Sequence, residues 1–311
     1  LAMRNKKLVV IGGDAAGMSA ASKVRREQPN FEIIVFEKSK FTSYSACGIP
    51  YFISGKVETI EELVVRSPSE FINKYNIQVK TLHEVLEVDT ENNKVLVHNY
   101  NDKTQFWESY DELLIATGGK AVCPVVKNHT VNGIFGIQTL NSGKIVQAFI
   151  EEYQPKNAVI VGGGYIGLEM AEALILKGLK VTIVNRSQEI MNTLDPDMGE
   201  KVRKALENLG VTIYNSESLN YFEEKDNRVT AVVTDQKTIK TDLVILGMGT
   251  TPNTTFLDKS KIKLSQQKAI KVNRKQQTSI KNVWAAGDCA ETKNVVTNKP
   301  FYIALGTVAN K

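Results

Sequence analysis

The hydrophobic positions of the chain fall into two copies of one design. Residues 7–11, KLVVI, form a continuous apolar run, the pattern of a strand buried on both faces, and GGDAAG follows before a helical stretch reaching about Arg26. A second run, FEIIVF, closes at Glu37. The same order returns at AVIVGGGYIGLEMAEALILKG, whose next strand, KVTIV, closes at Asn185. Both read as βαβ units, because parallel neighbours need a helical crossover between them. Alternating segments after the first copy, IQVKTLHEVLEVD and KVLVHNY, predict hairpin strands ahead of YDELLIATGG; VTIYN, RVTAVVTD and TDLVILGMGTTPN predict another run of short strands after the second. The pattern implies an α/β fold of two doubly wound domains with antiparallel β excursions, the second domain inserted in the first. The expected boundaries are residues 1–120, 121–250 and 251–311, the last segment returning to domain one.

Composition narrows the function classes. At 311 residues the chain exceeds what one core usually supports, and its 42% hydrophobic and 23% charged shares are those of a globular protein. No apolar run is long enough to span a bilayer. The N-terminus enters a strand almost at once without a signal peptide's apolar region, so a cytoplasmic protein with no membrane partner is expected, and Leu1 and Ala2, ahead of Met3, read as additions. Cys47, Cys123 and Cys289 are odd in number and far apart, which argues against a disulfide framework and against a metal site. A net charge of +5 without basic runs argues against a nucleic-acid partner and leaves a few cations for phosphate-bearing small molecules.

The glycine loops carry the first specific chemistry. Gly162, Gly164 and Gly167 fit G-x-G-x-x-G between a strand and a helix, where they permit a tight turn, close approach of backbone to a pyrophosphate, and close helix packing. These are Rossmann-like nucleotide-binding features, with phosphate on the helix N-terminus. In the first loop Gly12 and Gly17 hold the outer positions while Asp14 takes the middle one, so approach there must differ. Glu37, at the next strand end, is placed to accept hydrogen bonds from ribose hydroxyls. The second unit instead has Asn185 and Arg186 at that point; an arginine there neutralises a 2′-phosphate that an acid would repel, which favours NADPH over NADH.

The two glycine loops together with LLIATGG, GMGTTPN and VWAAGDCAE resemble the flavin-dependent pyridine nucleotide-disulfide oxidoreductases over nearly the whole chain. The resemblance implies FAD on the first unit, held by Gly12, Gly13, Asp14, Ala15, Ala16, Gly17, Glu37, Lys38, Val85, Thr117, Gly118 and Asp288. It implies NADPH or NADH on the second, held by Gly162, Gly164, Tyr165, Ile166, Gly167, Glu169, Asn185 and Arg186. Tyr165 matches a tyrosine that covers the flavin in many members, and Glu169 a carboxylate lining the nicotinamide pocket.

Cys47 takes its meaning from the same resemblance. Relatives that use an internal disulfide carry C-x-x-x-x-C, but the fifth residue after Cys47 is Phe52, so an internal disulfide is excluded. SYSACGIPYFISG is similar to the single-cysteine segment of the coenzyme A disulfide reductase branch, which implies Cys47 as nucleophile and coenzyme A disulfide, or a related low-molecular-weight disulfide or persulfide, as substrate. The following glycine and proline predict a turn that presents the sulfur at a helix N-terminus. By the resemblance Ser19, Lys23, Arg26, Ser43, Ala46 and Asn310 fall at substrate-contacting positions, Lys23 and Ala46 departing in type from some relatives. An NADH oxidase or peroxidase cycling Cys47 through sulfenic acid is the alternative, although the first glycine loop has no histidine; a non-catalytic flavoprotein is the alternative of another class. The chain stops at YIALGTVANK, inside an expected helix, ahead of the interface domain through which the family forms homodimers. A fragment is therefore expected.

Overall fold

The computed structural model describes residues 5–304. Its elements begin with β1 (Lys7–Ile11), α1 (Ala15–Glu27), β2 (Glu32–Glu37), α2 (Ile49–Ser54), α3 (Pro68–Tyr75), β3 (Gln78–Thr81), β4 (His83–Asp89), β5 (Lys94–Asn99), β6 (Thr104–Ser109), β7 (Glu112–Ile115) and β8 (Gly119–Ala121). They continue with β9 (Ile134–Gly136), α4 (Leu140–Tyr153), β10 (Asn157–Val161), α5 (Tyr165–Leu176), β11 (Lys180–Asn185), α6 (Pro196–Asn208), β12 (Thr212–Asn215), β13 (Leu219–Lys225), β14 (Arg228–Thr234), β15 (Thr238–Lys240), β16 (Leu243–Leu246), β17 (Thr250–Pro252) and β18 (Val283–Ala285). Residues 5–44, 64–120 and 251–304 group as one compact unit, and residues 45–63 with 121–250 as another.

The first unit is built on a parallel sheet of order β18-β7-β1-β2-β3. Alternate residues of its strands feed two cores. Val9, Ile11, Ile34, Phe36, Leu113 and Ile115 pack on one face with Val85, Val88, Val95 and Val97 of the antiparallel sheet β4-β5-β6; Leu8, Val10, Ile33, Val35 and Leu114 pack on the other with Met18 and Ala21 of α1 and Phe71 of α3. Each such buried Val, Leu, Ile, Phe or Met side chain contributes roughly 1.5–3 kcal/mol. The stretch IQVKTLHEVLEVD is not one hairpin arm as its alternation suggests. It breaks at Leu82, which takes φ +59°, so that β3 joins the parallel sheet and β4 starts the antiparallel one.

The second unit repeats the plan with a parallel sheet of order β12-β11-β10-β16-β9 and an antiparallel sheet β13-β14-β15. Residues 45–63, which the sequence pattern leaves in the first domain, group here. Ile49 is fully buried against Gly143 of α4, where a Cβ would lie 2.8 Å from its Cγ2, and α2 packs on α5. No described helix is long and apolar enough to cross a membrane.

Candidate functional site

Three loops meet at the carboxyl ends of β1, β7 and β18, on the side of the sheet where the strand order switches and ligands of such sheets bind. Gly12 takes φ +106°, and a Cβ there would lie 2.2 Å from the Ala116 oxygen; one on Gly17 would lie 1.9 Å from the Gly12 oxygen. Only glycine allows these approaches. The buried Gly13 N–H donates to Glu37 Oε2 at 2.8 Å and the Ser39 N–H to Oε1 at 2.8 Å, which fixes the carboxylate while leaving lone pairs for further donors. Around Gly118, at φ +63°, no atom lies within 4 Å of a Cβ position, and neighbouring Thr117 is tied through its hydroxyl to the Asn253 carbonyl at 2.7 Å. The Ala286 N–H donates to the Ile115 carbonyl at 3.0 Å, and Gly287 rests on Ala16, bringing Asp288 to the same end of the sheet.

Asp14 departs from a simple glycine loop. It stands at the N-cap of α1, beside the exposed Ala15, but its carboxylate accepts the Tyr44 N–H at 3.0 Å instead of capping the helix. Burial pushes this carboxyl up to about 6; the Tyr44 N–H works against the rise and the negative Glu37 and Asp288 add to it. Lys38 lies 3.9 Å from Glu84, and the Val85 side chain is buried in the core, so only the backbone of edge strand β4 is open to a ligand there.

In the second unit a Cβ on Gly162, at φ +112°, would lie 2.3 Å from the Gly247 oxygen, and one on Gly167 would lie 2.2 Å from the Gly162 oxygen. The nearest atom to a Cβ on Gly164 is 4.0 Å away. The outer glycines thus close the turn and seat α5, while the middle one leaves an open approach, the shape that a pyrophosphate requires. Tyr165 and Ile166 open α5, the Tyr165 hydroxyl 3.2 Å from that of Thr193. Burial, with Glu172 nearby, pushes the Glu169 carboxyl up. Glu169 lines a shallow cleft with Pro50, Tyr51, Lys56 and Leu176. Asn185 is buried and spends both amide hydrogens, on the Ser187 carbonyl at 3.1 Å and on Asn215 Oδ1 at 2.8 Å. Arg186, beside it, is exposed and has no hydrogen bond or ion pair among the described residues.

Cys47 is exposed in the 3₁₀ turn Ala46–Gly48, immediately ahead of α2. The turn is anchored by the Ser45 N–H on the Leu63 carbonyl at 2.8 Å and by Gly48, where a Cβ would lie 2.3 Å from Leu63 Cδ2. Ala46 is exposed and brings no polar side chain. In the first unit Ser43, strained at φ +47°, donates its N–H to the Gly13 carbonyl at 3.0 Å and accepts the Val65 N–H at 2.8 Å. Ser43 lines a polar cavity of about 210 Å³ with Ser19, Ser22, Arg26 and Arg66, over Met18 and Phe71. The cations of α1 have distinct duties: Lys23 pairs with Glu27 at 2.6 Å, Arg25 donates to the Pro29 and Asn76 carbonyls, and Arg26 has no ion pair among the described residues. Asn310 lies outside the described residues.

Residues 6–305 match the family described as pyridine nucleotide-disulphide oxidoreductase. The chain belongs to this family. Among curated members, the NADH oxidase of Methanocaldococcus jannaschii is 36% identical over 97% of this chain and 67% of its own. The NAD(P)H coenzyme A polysulfide/persulfide reductase of Pyrococcus horikoshii is 36% identical over 98% and 67%, and the coenzyme A disulfide reductase of Staphylococcus epidermidis 33% identical over 98% and 68%. Reduced Bacillus anthracis CoADR-RHD superposes with a TM-score of 0.95 at 30% identity, over 98% of this chain and 55% of that one. An engineered NADPH oxidase bound to NADPH, made from the Lactobacillus brevis NADH oxidase, gives a TM-score of 0.91 at 30% identity, over 97% and 67%. The chain therefore spans about two thirds of its curated relatives and little more than half of the first of these structures.

For a member of the family, the sequence pattern misses several residues that the fold brings to these sites. Arg66 and Ser22 join the cavity; Arg66 lies 40 residues from Arg26, and no local motif marks it. Tyr44 supplies the N–H that holds Asp14. Asn215, which holds Asn185, is on another strand altogether.

Proposed function

We propose that the chain is the FAD- and NAD(P)H-binding part of a flavoprotein disulfide reductase that turns over coenzyme A disulfide through Cys47 alone. The isolation of that thiol carries the reading. Cys47 is exposed, the position of an internal partner is taken by Phe52, and the sulfur lies three residues along the chain from Tyr44, whose N–H is bonded to Asp14 of the first glycine loop. Three residues reach about 10 Å at most, so the backbone itself tethers Cys47 to the end of that loop.

The residues present fit both cofactors. Glu37 is held as a ribose acceptor, Gly118 leaves open space beside Thr117, and Gly164 leaves an open approach to a pyrophosphate, with Tyr165, Ile166 and Glu169 opening the helix that follows. Bound NAD(P)H and FAD supply the two electrons that return Cys47 from mixed disulfide to thiolate. The protein's own step is an exchange. The Cys47 thiolate attacks one sulfur of coenzyme A disulfide, the substrate S–S bond breaks, a new S–S bond joins Cys47 to one coenzyme A, and the other leaves as thiolate. Arg26 and Arg66 supply positive charge for substrate phosphate, and Ser19, Ser22 and Ser43 supply hydroxyl donors. Lys23, paired with Glu27, does not line this cavity.

Arg186 favours NADPH. The substitutions in the engineered NADPH oxidase remove an aspartate and place arginine and serine at the next two positions, the order in which Asn185, Arg186 and Ser187 stand here. Persulfide reduction by the same thiol is the second reading, favoured by the 36% identity to the Pyrococcus horikoshii enzyme. The protein is read as a cytoplasmic homodimer, the compartment suiting the free thiols Cys47, Cys123 and Cys289 and the homodimer resting on the family resemblance.

Steady-state NADPH oxidation with coenzyme A disulfide tests the reading. Cys47→Ser should lower turnover about a thousandfold while flavin remains bound. Undiminished turnover in that variant contradicts the proposal, and sulfide release from a persulfide without turnover of coenzyme A disulfide selects the second reading.

A further inference from the structure

Asn185 stands where a nucleotide-binding unit of this fold commonly presents a group to the adenosine ribose, yet both of its amide hydrogens are used inside the protein. The Ser187 carbonyl that receives one of them also accepts the Ser216 N–H at 3.0 Å, and the Asn185 carbonyl accepts the Glu217 N–H at 3.1 Å. The turn carrying Arg186 is thus pinned at both sides to the end of β12. Asn215, having accepted from Asn185, donates to Glu189 Oε1 at 3.0 Å, and Glu189 Oε2 accepts Arg203 Nε of α6 at 3.0 Å. Arg203 is held in turn by Glu207 at 3.1 Å. The next residue, Ile190, covers Gly163 of the glycine loop, where a Cβ would lie 2.6 Å from its Cγ2. One chain of hydrogen bonds therefore ties α6 to the turn next to the phosphate-binding loop.

The directions of these bonds are specific. A carboxylate at position 185 has no hydrogen to give to the Ser187 carbonyl or to Asn215 Oδ1, and turning the Asn215 amide to serve it would point an oxygen at Glu189. Burial pushes the Glu189 carboxyl up, but bonds from Arg203, the Ile190 N–H and Asn215 outweigh it and hold the group below the usual range. Glu189 is an acceptor that fixes how Asn215 is turned.

Resting on the NADPH reading above, we propose that Asn215, Glu189 and Arg203 are positioning residues for nucleotide choice: through Asn185 they fix the turn that leaves Arg186 free for a 2′-phosphate. They act through Asn185 without entering the reaction. Equilibrium titration of NADP⁺ and of NAD⁺ into the flavin-loaded chain and its variants, by calorimetry, reads this without turnover. Asn215→Ala should lose about tenfold in NADP⁺ affinity and Arg203→Met about threefold, with NAD⁺ within about twofold of wild type in both. Glu189→Gln can keep its oxygen on Asn215 only by turning its amide N–H₂ toward Arg203, which breaks the same link as Arg203→Met, and should likewise lose about threefold in NADP⁺ affinity with NAD⁺ within about twofold. Equal losses for the two nucleotides, or no change with Asn215→Ala and Arg203→Met, overturn the proposal. The wild-type ratio alone decides the NADPH reading: if NAD⁺ binds better there, that reading fails, while a further fall of the NADP⁺ to NAD⁺ ratio in Asn215→Ala still supports the positioning role and an unchanged ratio removes it.

Discussion

Asp14 shows how one side chain couples a binding loop to pH. Its carboxyl is held up to about 6 by burial, against an ordinary value of 3.8, so the folded state holds the proton more tightly than the unfolded one. The resulting stability is full below pH 3.8 and is lost as pH rises through about 6, in all about 3 kcal/mol. Asn at this position keeps an acceptor for the Tyr44 N–H and loses the charge. Thermal melts of the flavin-free chain between pH 4 and 7 should therefore show wild type losing stability relative to Asp14→Asn as pH rises; parallel curves would refute the assignment. The exposed Arg66 has a different test. Arg66→Gln should raise KM for coenzyme A disulfide about tenfold with kcat unchanged, the loss of one charge-assisted contact, and an unchanged KM would remove Arg66 from the site. Glu37 could be named as a candidate from its place at a strand end, and Arg26 from the family resemblance. Arg66 could not, since only the folding of residues 64–66 back onto Ser43 brings it to the cavity.

At the scale of elements, the glycine loops separate two uses of one residue type. A methyl group on Gly162, which takes φ +112°, would meet the Gly247 oxygen at 2.3 Å, whereas one on Gly164 would find its nearest neighbour at 4.0 Å. Gly162→Ala should destabilise the second unit by about 3 kcal/mol or more, and Gly164→Ala should melt like wild type while binding NADP⁺ about tenfold more weakly. Calorimetric melts and nucleotide titration on the two variants check the contrast, and comparable melting temperatures would contradict it. The parallel strands and the second glycine loop were readable because apolar runs and G-x-G-x-x-G spacing are local, while the first loop keeps only the outer glycines of that pattern. The fate of IQVKTLHEVLEVD was not, because the break at Leu82 depends on a left-handed residue that carries no glycine to announce it. The helix expected after Cys47 is present, but it spans only Ile49–Ser54 and the cysteine stands in the 3₁₀ turn before it.

For the whole molecule, two doubly wound units share one topology, and the cysteine segment groups with the second while its flanks at Tyr44 and Val64 belong to the first. Sequence periodicity cannot see that exchange, since residues 45–63 lie between the strands of the first unit and reveal their packing only in the fold, through Ile49 on Gly143 and α2 on α5. The central claim is that one thiol, without a partner in the chain, exchanges with coenzyme A disulfide. Intact-mass and peptide mass spectrometry of the prereduced protein, freed of reductant and mixed with coenzyme A disulfide in the absence of NADPH, tests it most directly. One coenzyme A per chain on Cys47, with one equivalent of coenzyme A thiol released and no adduct there in Cys47→Ser, is the predicted result; no adduct, or labelling of the exposed Cys123 with Cys47 untouched, would contradict it.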